Sequence, residues 1–483
     1  MKVERTHIIL KPDPKRVIFR PFKPFREEQT INILSRVMSL TEDEVNDEIK
    51  EVVKSFDKRH YKIREYYLKR FNKISHYLAS DKKLSTNRQM LIGAYFTMEY
   101  SMESSALFNP SMVWDPDQSN VPAGSKRFIL SLRATGEGHV SSIVFRSGII
   151  DDQNNITVDD PVRYVTAPEV VPDPFYEKKL FEKKLIELGL IHDFANKVIS
   201  KLGDRFSLKE LEKLVENTLL QSRVRDGKNK LIANGILTLA LSNYQIFYNK
   251  SQNISERIIF PHSPTETNGT EDARFVCFVN DDGSHNYYAT YSAYDGKVVF
   301  PQLLETKDFL SFNITTLNGP EIKNKGMALF PRKINGSYAM LSRQDNENLY
   351  IMFSDMLHFW YTKKILLKPT FTWEIVQIGN CGSPIETDKG WLVLTHGVGP
   401  MRKYCIGAIL LDLDDPTKVI GRLKEPLLSP DESEREGYVP NVVYSCGSQV
   451  HGDELIIPYA VSDYASSFVK VNLHDLLNKL ISD

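Results

Sequence analysis

Cysteine is scarce in this chain: 483 residues contain only Cys277, Cys381, Cys405 and Cys446. None forms a CxxC pair or stands at Cys/His ligand spacing. Neither a disulfide framework nor a zinc site is therefore expected, and four reduced thiols are. An excess of one charge is also missing. Lys and Arg total 61 against 62 for Asp and Glu, a net charge of -1, which argues against an extended nucleic-acid or polyanion surface. Long hydrophobic runs are absent as well. The most apolar stretch, Leu231 to Phe247, is interrupted by Asn234, Asn243 and Gln245, and is expected to be a buried helix rather than a membrane span. Met1 to Arg16 is charged and lacks the apolar core of a signal peptide, so a cytoplasmic protein without membrane attachment is the expectation.

What is present is a globular composition, 41% hydrophobic and 25% charged, which excludes a disordered chain. The length points to two or three units or to one large repeat architecture. Two regions have helical periodicity. From Arg26 to about Arg70, Ile31, Ile33, Leu34 and Val37 share a face, and Thr41-Glu-Asp-Glu44 is a capping box. Between Pro174 and Tyr248, Phe181, Leu185, Leu188 and Leu190 recur among Lys and Glu, and Ser207-Leu-Lys-Glu210 caps a further helix.

The remainder alternates as strands do. Five segments share one form, a polar turn with glycine followed by a β run, starting at Gly124, Gly283, Gly336, Gly390 and Gly452. The last four recur at intervals of roughly 50 to 60 residues, and the helical block accounts for most of the longer first interval. Each is followed by another strand-like run. A repeat of several short strands is the pattern of propeller blades, each of which buries its faces against its neighbours. The expected fold is mainly β, a five-bladed β-propeller; two stacked sheets of a sandwich are the alternative. Residues 1–100 are expected to form an N-terminal helical extension, and 101–483 the propeller with a helical insertion at about 172–250.

In a propeller the innermost strands surround a channel, so functional groups are sought where each repeat begins. Those starts are Asn109-Pro-Ser111, Thr270-Glu-Asp-Ala-Arg274, Lys323-Asn-Lys-Gly326, Asn380-Cys-Gly-Ser383 and Asn441 to Cys446. Carboxylates and cations converging on one axis suit a polar, hydrogen-bonding substrate such as a sugar or a phosphate. On a regular strand, adjacent Glu271 and Asp272 would face opposite ways, leaving one of them for the channel.

The stretch from Thr267 to Asp463 resembles glycoside hydrolase family 130, the β-mannoside phosphorylases and related inverting β-mannosidases. The pieces that carry the likeness are Gly269-Thr-Glu-Asp-Ala-Arg274, Tyr291-Ser-Ala-Tyr-Asp-Gly296, Asn324 to Gly336, Thr395-His-Gly-Val398, Leu410 to Pro416 with Lys418 to Arg422, Asn441-Val-Val-Tyr444 and Tyr459-Ala-Val-Ser-Asp463. Asn109-Pro110 and Arg133 to Arg146 fit more loosely. The resemblance implies that Asp272 is the catalytic acid, passing its proton through a substrate hydroxyl while phosphate attacks the opposite face of the sugar. It also implies Lys325 as a phosphate contact, with Arg343, Arg133 and His139 as further candidates. Asn109, Glu137, Glu271, Arg274, Tyr291, Asp295, His396, Tyr444 and Asp463 are candidates for holding the sugar. Two positions depart from the family: Lys297 to Gln302 lacks an arginine that many of its phosphorylases carry, and Ser342 stands where many have histidine.

The expected activity is therefore phosphorolysis of β-mannosides to α-mannose 1-phosphate, with inorganic phosphate as co-substrate and neither cofactor nor metal. An inverting hydrolase on the same scaffold and a non-catalytic binding propeller are the alternatives. The helical segments are expected to shape the channel mouth or to form a contact between subunits.

Overall fold

The computed structural model describes residues 1–78, 83–172, 175–221 and 227–482. The protein is mainly β with some helices. Five antiparallel units, each of three or four main strands, follow one another along the chain. The first comprises Ala106–Trp114, Lys126–Thr135 and Ser141–Ile150, edged by Ile156–Val158. The second comprises Gly269–Val279, His285–Tyr294, Val299–Thr306 and Ser311–Thr316. Lys325–Leu329, Tyr338–Arg343, Leu349–Ser354 and Lys364–Leu367 form the third. Gln377–Asn380, Gly390–Val398, Tyr404–Leu411 and Val419–Arg422 form the fourth. In the fifth, Val443–Tyr444, Glu454–Val461 and Ala465–Asn472 are completed by Val3–Arg5 from the start of the chain.

Successive units touch. Ser141 pairs with Gly269, Val279 bridges Arg332, and the Ile378 amide donates to the Glu347 carbonyl. Tyr404 bridges Val442, and Ser111 bridges Gly447, so the first unit also meets the fifth. Between the sheets lie separate apolar clusters. Phe145, Phe275, Phe309 and Phe312 fill one, while Trp360 and Met340 sit in another. This layering follows from the alternation of the strands, which turns every second side chain toward a neighbouring sheet.

The helices make cores of their own. Glu27–Ser39, Glu42–Phe56, Ile63–Ile74 and Thr86–Tyr95 pack around Leu34, Ile49, Tyr67 and Leu91. The box at Thr41 forms as the sequence indicates: its hydroxyl accepts from the Glu44 amide, and the Glu44 carboxylate accepts from the Thr41 amide. Four more helices, Lys178–Glu187, Asp193–Ile199, Leu208–Gln221 and Gly227–Leu241, surround Leu185, Val198, Leu211 and Ile236. The boundary expected at Pro174 lies outside the described residues.

Leu231 to Phe247 is not one helix. The helix stops at Leu241, and Tyr244–Phe247 is a strand paired with Ser311–Thr316. Asn243 makes the break: its amide donates to the Leu239 carbonyl, and its side-chain oxygen accepts from the Thr316 amide. Among the described residues no helix is long and apolar enough to cross a membrane.

Candidate active site

The first strands do not run straight into the centre. Asn109 has φ 50°, Asp272 54°, Asn324 65° and Asn441 62°, all left-handed. Register shifts accompany three of them, between Phe108 and Ser111, Glu271 and Arg274, and Lys325 and Ala328. Asn and Asp are the non-glycine residues that tolerate this backbone best. A bulge sets two residues against one and suspends the alternation of the strand. The expectation that Glu271 and Asp272 face opposite ways is therefore corrected: both carboxylates point into one cavity, where Arg133 grips them together. Its Nη2 stands 2.7 Å from Glu271 Oε1 and its Nη1 3.3 Å from Asp272 Oδ1. Arg133 Nε donates to Ser141 Oγ at 2.9 Å, which fixes the plane of the fork.

The cavity has a volume of about 270 Å³ and takes walls from all five units except the outer strands. Asn109 Nδ2 donates to Asp272 Oδ1 at 2.7 Å, and Lys325 Nζ lies 3.3 Å from Glu271 Oε2. Arg274 donates from Nη1 to the Asp272 carbonyl at 3.0 Å and from Nη2 to the Tyr444 hydroxyl at 2.7 Å. Arg343 and Asp463 complete the expected residues that reach it. Two cavities of similar volume, about 330 and 340 Å³, lie beside the helices; theirs are mostly apolar walls. The smaller one concentrates charge, five cations against three carboxylates.

The charge states follow from these neighbours. Burial alone would raise the Asp272 carboxyl, but Arg133, Arg274, Lys325 and the Asn109 amide together hold it down at about 2. Asp463 is moved the other way, to about 7, by burial and by the Asp272 charge, with Arg133 and Arg402 opposing. His396 Nδ1 donates to the Asn380 carbonyl at 3.0 Å, so its Nε2 carries a lone pair toward Arg343 Nη1, 3.0 Å away. Burial and the Arg343 charge push this imidazole well below its usual range, and it is neutral.

Five expected residues do not line the cavity. His396 is buried behind Arg343 and against the rings of Tyr404 and Tyr444, and does not itself line the cavity. Tyr291 is buried and donates to Glu266 Oε1 at 2.7 Å; that carboxylate also accepts from Tyr244 and from two backbone amides. Asp295 accepts from the amides of Lys297 and Val298 and closes a turn. Glu137 and His139 stand exposed on a tight hairpin, with His139 Nδ1 2.9 Å from the Tyr438 hydroxyl. His396, Tyr291, Asp295 and His139 have each found a partner that the alternation of strands does not reveal.

Arg402 and Tyr404 line the cavity although the sequence reading passed over them. The chain carries only part of a signal for them, a glycine three residues before a basic side chain. Gly136-Glu-Gly-His139 and Gly399-Pro-Met-Arg402 make the same hairpin turn: the first glycines have φ/ψ of -106/-160° and -110/-160°, and the third positions after them have φ 61° and 55°. Among the described residues no group of three or more His, Cys, Asp or Glu side chains is arranged to hold a metal ion.

The model of glycoside hydrolase family 130, described as beta-1,4-mannooligosaccharide phosphorylase, matches residues 227–481, more than half of the chain. The chain belongs to that family. A 1,2-beta-oligomannan phosphorylase of Thermoanaerobacter sp. (strain X514) is 44% identical over 155 residues, covering 32% of this chain and 52% of the relative. A beta-1,2-mannobiose phosphorylase of Listeria innocua serovar 6a is 34% identical over 230 residues, covering 46% of this chain and 63% of the relative. The chain thus spans between half and two thirds of the length of these two relatives. Among solved structures, a beta-1,2-mannobiose phosphorylase from Listeria innocua in complex with beta-1,2-mannobiose aligns over 78% of this chain and 93% of that one, with 24% identity and a TM-score of 0.47. In this family 130 chain the matched segment contains Glu271, Asp272, Arg274, Lys325, Arg343, Arg402, Tyr444 and Asp463; Asn109 and Arg133 lie before it.

Proposed function

We propose that this protein is a β-mannoside phosphorylase, cleaving manno-oligosaccharides with inorganic phosphate to give α-mannose 1-phosphate and a shortened acceptor. The observation that carries the reading is the pairing of the Asp272 carboxyl with a surplus of cations in one cavity. A glycosidic oxygen leaves only when it gains a proton, and a multiply charged nucleophile needs fixed cations near the carbon it attacks. Asp272 supplies the proton through a sugar hydroxyl. A phosphate oxygen attacks the anomeric carbon from the opposite face as the bond to the acceptor breaks, so the configuration inverts. Hydrogen phosphate brings one proton of its own; released after attack, it restores the acid, and no other reagent is consumed.

In this reading Lys325, Arg343 and Arg133 provide the positive field for phosphate, and Asn109, Glu271, Arg274, Tyr444 and Asp463 hold the sugar. The five antiparallel units are the blades of a propeller, a reading supported by the contacts between each unit and the next and by the meeting of the first with the fifth. The helices around Leu91 form an extension to it, and those around Leu211 an insertion.

The test is incubation with β-1,2- and β-1,4-linked manno-oligosaccharides, with and without phosphate. Mannose 1-phosphate is expected only when phosphate is present. Free mannose released at the same rate without phosphate would mean a hydrolase and would overturn the proposal.

A further inference from the structure

The cavity of about 340 Å³ beside the N-terminal helices shares no lining residue with the central one. Its lining residues all precede Tyr100, so it lies wholly outside the segment 227–481 that matches the family. Glu48, Val52 and Phe56 stand four residues apart on the helix Glu42–Phe56 and present one face to it. Tyr67 and Tyr95 come from two further helices, and Phe19 and Glu99 from the paired strands Val17–Pro21 and Thr97–Ser101.

Aromatic rings, those of Phe19, Phe56, Tyr67 and Tyr95, form much of the wall. Phe19 is stacked on His60 and Tyr66, whereas Phe56 and Tyr95 stack on no other ring among the described residues. The charge of the lining has one sign: Glu48 and Glu99 contribute to it, and no described Lys, Arg or His does. Glu99 is already held, its Oε2 3.0 Å from Arg59 Nη2 and its Oε1 2.6 Å from His60 Nε2. Glu48 has no ion pair among the described residues. Tyr67 is only 3% exposed, yet its hydroxyl has no hydrogen-bond partner among the described residues. Burial and the Glu99 charge push that phenol up to about 12, so it is neutral and sits in a negative field.

A purely apolar ligand would take water from Glu48 and from the Tyr67 hydroxyl without replacing it, and an anion would be repelled. A cation on an apolar body answers both: aromatic faces attract it through their quadrupole, a carboxylate balances it, and the phenol oxygen accepts from it. We infer that this cavity binds a small organic cation, an ammonium group carried on a hydrocarbon or aromatic body. Glu48 meets the charge, Tyr67 accepts an N–H, and Val52, Leu91 and Met98 cover the body. The site is independent of the mannoside reaction.

Phenethylammonium is the probe, with 2-phenylethanol and phenylacetate as its neutral and anionic counterparts. Calorimetric titration of the full-length protein is expected to show saturable binding of the ammonium, roughly ten-fold weaker binding of the alcohol and none of the acid. Glu48 is exposed on its helix. Glu48→Gln is therefore expected to keep the circular dichroism spectrum, to weaken the ammonium roughly five-fold and to leave the alcohol unchanged. Tyr67→Phe keeps the ring, removes the acceptor and is expected to weaken the ammonium roughly three-fold. Absence of saturable ammonium binding, equal affinity for ammonium and alcohol, or undiminished ammonium binding by Glu48→Gln would each overturn the site.

Discussion

Asp272 and Asp463 open onto one cavity and are in opposite states. Asp272 sits on a bulge in the second unit, beneath two arginines, a lysine and an amide, and titrates at about 2. Asp463 sits on the hairpin between the last two strands of the fifth unit; it has no ion pair among the described residues and titrates at about 7. The chemistry of the side chain is the same, so the difference belongs to the neighbours. It also shows that the proposed acid is not loaded in the free protein. In the proposed reaction, a phosphate dianion beside these cations would cancel part of the field that holds Asp272 down, so that its carboxyl would take up a proton as the nucleophile arrives.

The largest expected effect tests which carboxyl is the acid. Asp272→Asn should lower turnover by about 10³-fold, within the range for loss of a general acid, with an unchanged circular dichroism spectrum. If Asp463→Asn were the more damaging of the two at pH 6, the assignment would be reversed. Next, Asn109→Gly removes one hydrogen bond from Asp272 and keeps a residue suited to φ 50°. Loss of a bond to a charged group of about 1.5 kcal/mol predicts roughly ten-fold slower turnover; an unchanged rate would show that Arg133 alone orients the acid.

Stability against pH separates the two carboxyls in another way. An unfolded aspartate titrates near 3.9, well below Asp463 in the fold. The neutral carboxyl therefore contributes stability in full below about pH 4, and the contribution is lost as pH rises to 7. Thermal melts of Asp463→Asn should match the wild type near pH 4 and exceed it by about 2 kcal/mol at pH 8. The smallest effect is the coupling itself. Calorimetry of phosphate binding in buffers of different ionisation enthalpy should show fractional proton uptake near pH 6, and its absence in wild type would break the link between anion and acid.

Much of the layout is legible in the chain. The glycine turns mark the second strand of each unit, and the polar clusters ahead of them contain Asn109, Asp272, Arg274, Lys325 and Tyr444, all of which reach the cavity. Period-two alternation could not place Glu271, because a bulge is an insertion against the partner strand and leaves the spacing within its own strand unmarked. Nor could it show that Tyr291 serves Glu266, a residue in the loop just ahead of the same sheet. Arg402 escaped notice because its hairpin lacks the glycine that makes the turn visible in the first unit, where Gly138 occupies the place of Met401.

The left-handed residues at the cavity restrict what evolution or engineering can try there. Asn109, Asp272 and Asp463 all hold φ near 50°, a setting in which short amide and acid side chains are at home and longer ones are strained. At these three places the main chain favours a two-letter alphabet, although Arg402 holds φ 55° at the same cavity with a long side chain. Lengthening any of the three to Gln or Glu would add backbone strain to the change of chemistry, so new specificities should be sought first on the rim.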